Sequence, residues 1–132
     1  MLTNPSGTNA ITGDIIGCAI KVHKALGPGL LESAYSPCLA LELRDAGHTI
    51  ELKKPVPLIY RNIRINVCFY VDLVVDGQVL VELKSVAELT AVHEAQLLTY
   101  LRLTHCPVGL LINFNVPVLK DGVKRKINKV EP

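Results

Sequence analysis

The chain has 132 residues, 49% of them hydrophobic and 20% charged, with a formal net charge of +2. That length fits one domain able to bury a core without covalent staples, and the composition excludes a disordered chain. The net charge is too small to mark a polyanion partner by itself. Its distribution is more telling, because Lys53, Lys54, Arg61 and Arg64 form an acid-free stretch and KDGVKRKINK at 120–129 carries five cations against Asp121. A basic run is as readily a solvated edge as a phosphate contact, so Lys53, Lys54, Lys124, Arg125 and Lys126 stand as nucleic-acid-binding candidates.

Residues 1–9 read as a flexible N-terminal tail, polar and without a signal-peptide pattern. A first helix, capped by Asn9 or Thr12, runs to about Leu26 on a stripe of Ile15, Ile16, Ala19, Ile20, Val22, His23 and Leu26. Gly27-Pro28-Gly29 ends it. A second helix is expected from about Leu30 to Asp45, with Pro37 forcing a kink or a late start.

From Thr49 to Leu83 the period becomes that of strands: HTIELKKPVPLIY, NIRINVCFYVDLVV and QVLVELK, joined by turns at Arg61-Asn62 and Asp76-Gly77. Pro55 and Pro57 put the first of these at an edge. ELTAVHEAQLLTYLRL at 88–103 returns to helical period, and CPVGLLINF at 106–114 suits a strand buried on both faces. A last strand is expected around Val123–Val130. The order α, α, β, β, β, α, β, with a final β, describes one α/β domain on a mixed sheet. Cys18, Cys38, Cys68 and Cys106 form no CxxC pair or zinc spacing and read as buried, reduced thiols of a cytoplasmic chain. No apolar run reaches membrane-spanning length.

The chemistry concentrates in VDLVVDGQVLVELKS at 71–85. Glu82 and Lys84, two apart on a strand, point to one face. A two-residue loop at Asp76-Gly77 would pair Val75 with Gln78 and leave Asp72 opposite Val81. A three-residue loop with Gly77 left-handed would pair Val74 with Gln78 and make Asp72 and Glu82 diagonal neighbours on one face. The chemistry therefore predicts an irregular turn, or a strand bent at Asp72. Two carboxylates converging in a half-buried place require a proton or a cation between them. Hard oxygen ligands suit Mg²⁺ or Mn²⁺, and Lys84 beside them could hold an attacking water or neutralise a phosphorane-like charge. The plainer reading of an ExK pair is a surface salt bridge.

Two further stretches bear on the choice. In HEAQLLTYL at 93–101, Gln96 and Tyr100 share a helix stripe. In GLLESAY at 29–35, Glu32 stands at a helix start, where it could merely complement the dipole. His93 reads as structural.

Taken together, GPGLLESAY (with Gly29, Glu32 and Tyr35), VDLVV, VELKS, HEAQLLTYL and GLLINFNVPVLKDGVKR resemble the GxxExxY family of the PD-(D/E)xK nuclease superfamily, from about Ile15 to Lys126. The resemblance implies a restriction-endonuclease-like αβββαβ core as a single domain over 10–132. It implies that Asp72 and Glu82 are metal ligands, that Lys84 is the catalytic lysine, that Glu32 supports the metal or its water, and that Gln96 and Tyr100 orient the lysine or substrate. The activity implied is Mg²⁺-dependent (or Mn²⁺-dependent) hydrolysis of nucleic acid, DNA favoured, by a chain small enough to work as a homodimer. The competing reading is a catalytically silent module of the same fold that binds nucleic acid or a protein partner.

Overall fold

The computed structural model describes residues 5–129. The elements run α1 (Pro5–Leu26), α2 (Glu32–Asp45), β1 (Ile50–Tyr60), β2 (Ile63–Val75), β3 (Val79–Lys84), α3 (Ala91–Thr104), β4 (Val108–Asn113), a 3-10 turn (Leu119–Gly122) and β5 (Val123–Ile127). The five strands form one sheet in the order β1-β2-β3-β4-β5. All neighbours are antiparallel except β3 and β4, which are parallel because α3 crosses over between them. This is the α/β architecture with a mixed sheet and flanking helices that the pattern calls for.

Each face of the sheet has its own core. On one face, Ile15, Ala19 and Val22 of α1 and Tyr35, Leu39 and Leu43 of α2 pack on Leu73, Val75, Val81, Leu83, Leu110 and Ile112. On the other, Leu97 and Leu101 of α3 cover Val71, Val74, Leu80 and Leu111. β4 is buried along its whole length, as expected of a strand lying under helices on both sides. Gly109 lets α3 sit close, since a Cβ there would meet Leu97 Cδ1 at 2.9 Å.

Several boundaries differ from the sequence reading. α1 starts at Pro5, inside the stretch expected as a tail over 1–9; residues 1–4 lie outside the described residues. Its buried stripe begins with Thr8 and Thr12, which read as polar. α2 starts at Glu32 rather than Leu30 and keeps Pro37 within it, on the exposed side. The last strand ends at Ile127; Val130 lies outside the described residues. β1 is an edge strand, as its prolines require. All four cysteines are free, but only Cys18 and Cys106 are buried; Cys38 is half-buried and Cys68 exposed. Among the described residues no helix is long and apolar enough to cross a membrane.

Candidate active site

The β2–β3 turn is irregular in a way that decides the site. Asp76 (φ 54°) and Gly77 (φ 66°) are both left-handed, and the Gln78 amide donates to the Val75 carbonyl at 3.0 Å, a tight turn of the kind that matches strand twist. Gln78 is then an extra residue, so Val75 pairs with Val79, Val74 with Leu80 and Leu73 with Val81. Neither register weighed from sequence is this one; the expected Val74–Gln78 pairing does not occur. One step further along, Asp72 and Glu82 stand directly opposite each other.

The ladder stops there. Beyond Leu73–Val81, β3 keeps its pairing with β4 through Lys84–Asn113, and β2 keeps its pairing with β1. The two strands part, and side chains replace the missing backbone bonds. The Leu83 amide donates to Asp72 Oδ2 at 2.7 Å, and the Asp72 amide donates to Glu82 Oε1 at 3.2 Å. Each carboxylate is thus gripped by the opposite strand's backbone. The bend expected at Asp72 is present: Val71 and Val74 both face the α3 core, while Leu73 and Val75 face the other. Simple alternation would separate Val71 from Val74, so the strand slips by one between them. On β1, Lys53 takes a left-handed conformation (φ 49°) in the gap between the Leu52–Leu73 and Lys54–Val71 pairs.

Glu82 is 6% exposed. Burial, and then the charge of Asp72, push its carboxyl up to about 8, against a smaller lowering by the Asp72 amide and Lys84. At neutral pH, with no cation between the acids, Glu82 therefore keeps its proton most of the time and the pair shares about one negative charge. Asp72, Glu82 and Lys84 come together; Tyr100 joins them from α3, its phenol raised by burial and then by the charges of Glu82 and Asp72, with its ring 6.2 Å from Phe69 of β2. Gln96 lies one turn earlier on α3 and is exposed.

Glu32 is held at the same end of the sheet by its loop. Ser85 donates to the Leu30 carbonyl at 2.5 Å, and the Tyr35 hydroxyl donates to the Gly27 carbonyl at 2.6 Å while accepting from the Leu30 amide at 3.1 Å. Tyr35 is fully buried and stacks on Phe114 at 4.2 Å. Among the described residues no three His, Cys, Asp or Glu side chains are gathered for one ion.

Two positioning residues had little signal in the sequence. Ser85 is one. Asn113, 1% exposed at the end of β4, is the other: its amide donates to the Val86 carbonyl at 3.0 Å and its oxygen accepts from the Val86 amide at 3.1 Å. A lone Asn closing an apolar run was the available hint. His93 is structural, exchanging capping bonds with Thr90. Of the basic candidates, Lys53 stands on β1 at the register position facing Asp72 and lines a pocket with Ser33 and Ser36 of α2, while the others are engaged or placed elsewhere. Lys54 pairs with Glu51 at 3.3 Å and Lys126 with Glu94 at 2.6 Å. Arg125 bonds Asn9 at 2.8 Å, and β5, which carries Lys124, is separated from β3 by β4.

The donor set fits a hard divalent cation. Two carboxylates face each other so closely that one keeps a proton unless a cation takes its place, and an ammonium stands beside them. A family model described as the PD-(D/E)XK nuclease superfamily matches residues 9–126. A search of the curated proteins finds no match. Among solved structures, that of SSO0001 is 17% identical, covers 91% of this chain and 67% of its own, and superposes with a TM-score of 0.43; a likeness that loose carries no weight for the site.

Proposed function

Because the chain belongs to the PD-(D/E)XK nuclease superfamily, we propose that it is a divalent-metal-dependent nuclease that hydrolyses phosphodiester bonds, with DNA the favoured substrate. Within the superfamily we place it with the GxxExxY proteins on Gly29, Glu32 and Tyr35. The observation that carries the reading is the fork at Asp72 and Glu82, where each acid is fixed by the other strand's amide and Lys84 follows on the same strand.

In this reading Asp72 and Glu82 hold Mg²⁺ or Mn²⁺. When bound, the ion supplies Lewis-acid polarisation of the phosphoryl group and a water of lowered pKa. The chain's own residues do the rest. The amides of Leu83 and Asp72 orient one oxygen of each acid, leaving the other to the site. Lys84 places a positive charge where negative charge develops on the attacked phosphate. Tyr100 presents its hydroxyl from α3, and Gln96 one turn away serves the substrate side. Glu32, at the N-terminus of α2, acts on water or substrate. Two copies would present two sites to a duplex.

The test is cleavage of single- and double-stranded DNA and RNA with Mg²⁺, Mn²⁺ or EDTA, using wild type, Asp72→Asn and Lys84→Ala. Metal-dependent cutting lost in both variants is the expected result. A wild type that cuts nothing while binding nucleic acid would replace this reading with the silent module.

A further inference from the structure

On the flank of α3 away from the acids lies a cleft of about 450 Å³ between α3 and β5, lined by Leu98, Arg102, Lys126, Asn128 and Lys129 among others. Its wall is built on one helix stripe. Glu94, Leu98 and Arg102 follow at intervals of four and so face the same way, toward β5, where Glu94 meets Lys126 at 2.6 Å. Gln96 and Tyr100 lie on the other flank, with Tyr100 against Phe69 of β2.

Asn128 fixes the cleft's geometry. Its side-chain amide donates to the carbonyls of Leu101 and Cys106, each at 3.0 Å, and its backbone amide donates to the Pro107 carbonyl at 2.8 Å. The residue after β5 is therefore tied to Leu101 of α3 by one bond and to the loop between α3 and β4 by two. Of the cations, Lys126 is already matched by Glu94. Arg102 and Lys129 are exposed and, among the described residues, form no ion pair. Arg125 also lines the cleft and bonds the neutral Asn9, so three cations without a carboxylate partner among the described residues surround a half-buried Leu98, a positive rim that an anionic ligand with an apolar part would complement.

We propose that this cleft binds the phosphodiester backbone of the nucleic acid beyond the scissile bond, with Arg102 and Lys129 on phosphate oxygens. The inference rests on the nuclease reading for its ligand class. A guanidinium and an ammonium suit phosphate as a fork and a point charge respectively. The route from cleft to acids is open electrostatically: Ala91, Ala95 and Thr99 on the outer face of α3 are exposed and uncharged, and the carboxylate of Glu94 is committed to Lys126. A strand crossing a helix about 10–12 Å across meets no repelling acid on that face.

The experiment is fluorescence anisotropy of labelled single- and double-stranded DNA in EDTA over a range of salt, so that no cleavage intervenes. Arg102→Ala/Lys129→Ala is expected to weaken binding about tenfold at low salt and to lower the salt slope by about two, one per lost phosphate contact. Arg102→Lys/Lys129→Arg, which keeps both charges, should restore most of the slope. Lys21→Ala/Lys24→Ala, on the exposed side of α1, should leave it unchanged. A slope unaltered by the first pair, an equal loss from the α1 pair, or no DNA binding by the wild type would each overturn the proposal. Competition by inorganic pyrophosphate as strong as that of the oligonucleotide would also overturn it, by making the site one for a small polyanion. A wild type that fails to cut in Mg²⁺, yet shows the Arg102/Lys129 effect in EDTA, would remove the nuclease reading and leave the cleft.

Discussion

Ser85, the residue after Lys84, donates its hydroxyl to the carbonyl of Leu30 at 2.5 Å. One bond thus joins the end of the central strand to the loop that launches α2, two residues before Glu32. Ser85→Ala should cost about 1 kcal/mol of stability, the net value of one such bond, and should lower cleavage more than it lowers stability by letting Glu32 drift. Parallel urea melts and cleavage rates check this. Equal rates in variant and wild type would show that the Ser85 bond does not position Glu32 for the reaction.

Tyr35 grips the same loop from below, through Gly27 and Leu30. Tyr35→Phe keeps the stacking on Phe114 but removes two part-buried hydrogen bonds, each worth about 0.5–1.5 kcal/mol, so a loss of about 1–3 kcal/mol is expected. Chemical denaturation measures it directly. A loss far below that range would mean that the Gly27-Pro28-Gly29 loop finds other partners.

Glu82 is placed where the metal-free chain gains nothing from its charge. Its folded pKa of about 8 lies above the ordinary 4.5. Stability from this group is therefore fully present below about 4.5 and is lost as pH rises through about 8. Glu82→Gln should make the metal-free protein more resistant to urea at alkaline pH than wild type, while abolishing cleavage. It should also remove the stabilisation by Mg²⁺, which for wild type reaches about 2.7 kcal/mol at a hundredfold excess over Kd. A variant that still gains stability from Mg²⁺ would place the ion elsewhere.

Much of this fold was legible because its signals are local. The apolar periods marked α3 and β4, Pro55 and Pro57 marked an edge, and Asp72, Glu82 and Lys84 stood out as charges in apolar strands. What stayed hidden depends on particular backbone states or on polar residues used as core. The register turned on Asp76 being left-handed along with Gly77, which a non-glycine residue does not announce. The first turns of α1 were masked by Thr8 and Thr12, buried despite their hydroxyls. The site's supports were hidden for another reason. Ser85 and Asn113 act on residues that are distant in sequence or across a strand end, and the α3–β5 cleft exists only because Asn128 ties two separate elements together.

His48 gives the fold a second pH dependence, at the turn end of the hairpin. Its Nδ1 lies 2.6 Å from Asp76 and its Nε2 2.8 Å from Asp14, so it clamps α1 to the β2–β3 turn best when doubly protonated. The hydrogen bond to Asp76 raises its pKa above 6.5; burial opposes this, and the bond to Asp14 adds to it. A raised folded pKa contributes stability that is fully present below the unfolded value of 6.5 and is lost as pH rises through the folded one. Glu82 loses stability in the same direction, so the two are separated by working in the Glu82→Gln background. There, urea stability should still fall from pH 6.5 upward. Adding Asp76→Asn, which keeps an oxygen for the Thr49 amide but removes the charge facing His48, should flatten that fall. An undiminished slope would show that the fall with pH does not arise from the charge of Asp76 on His48.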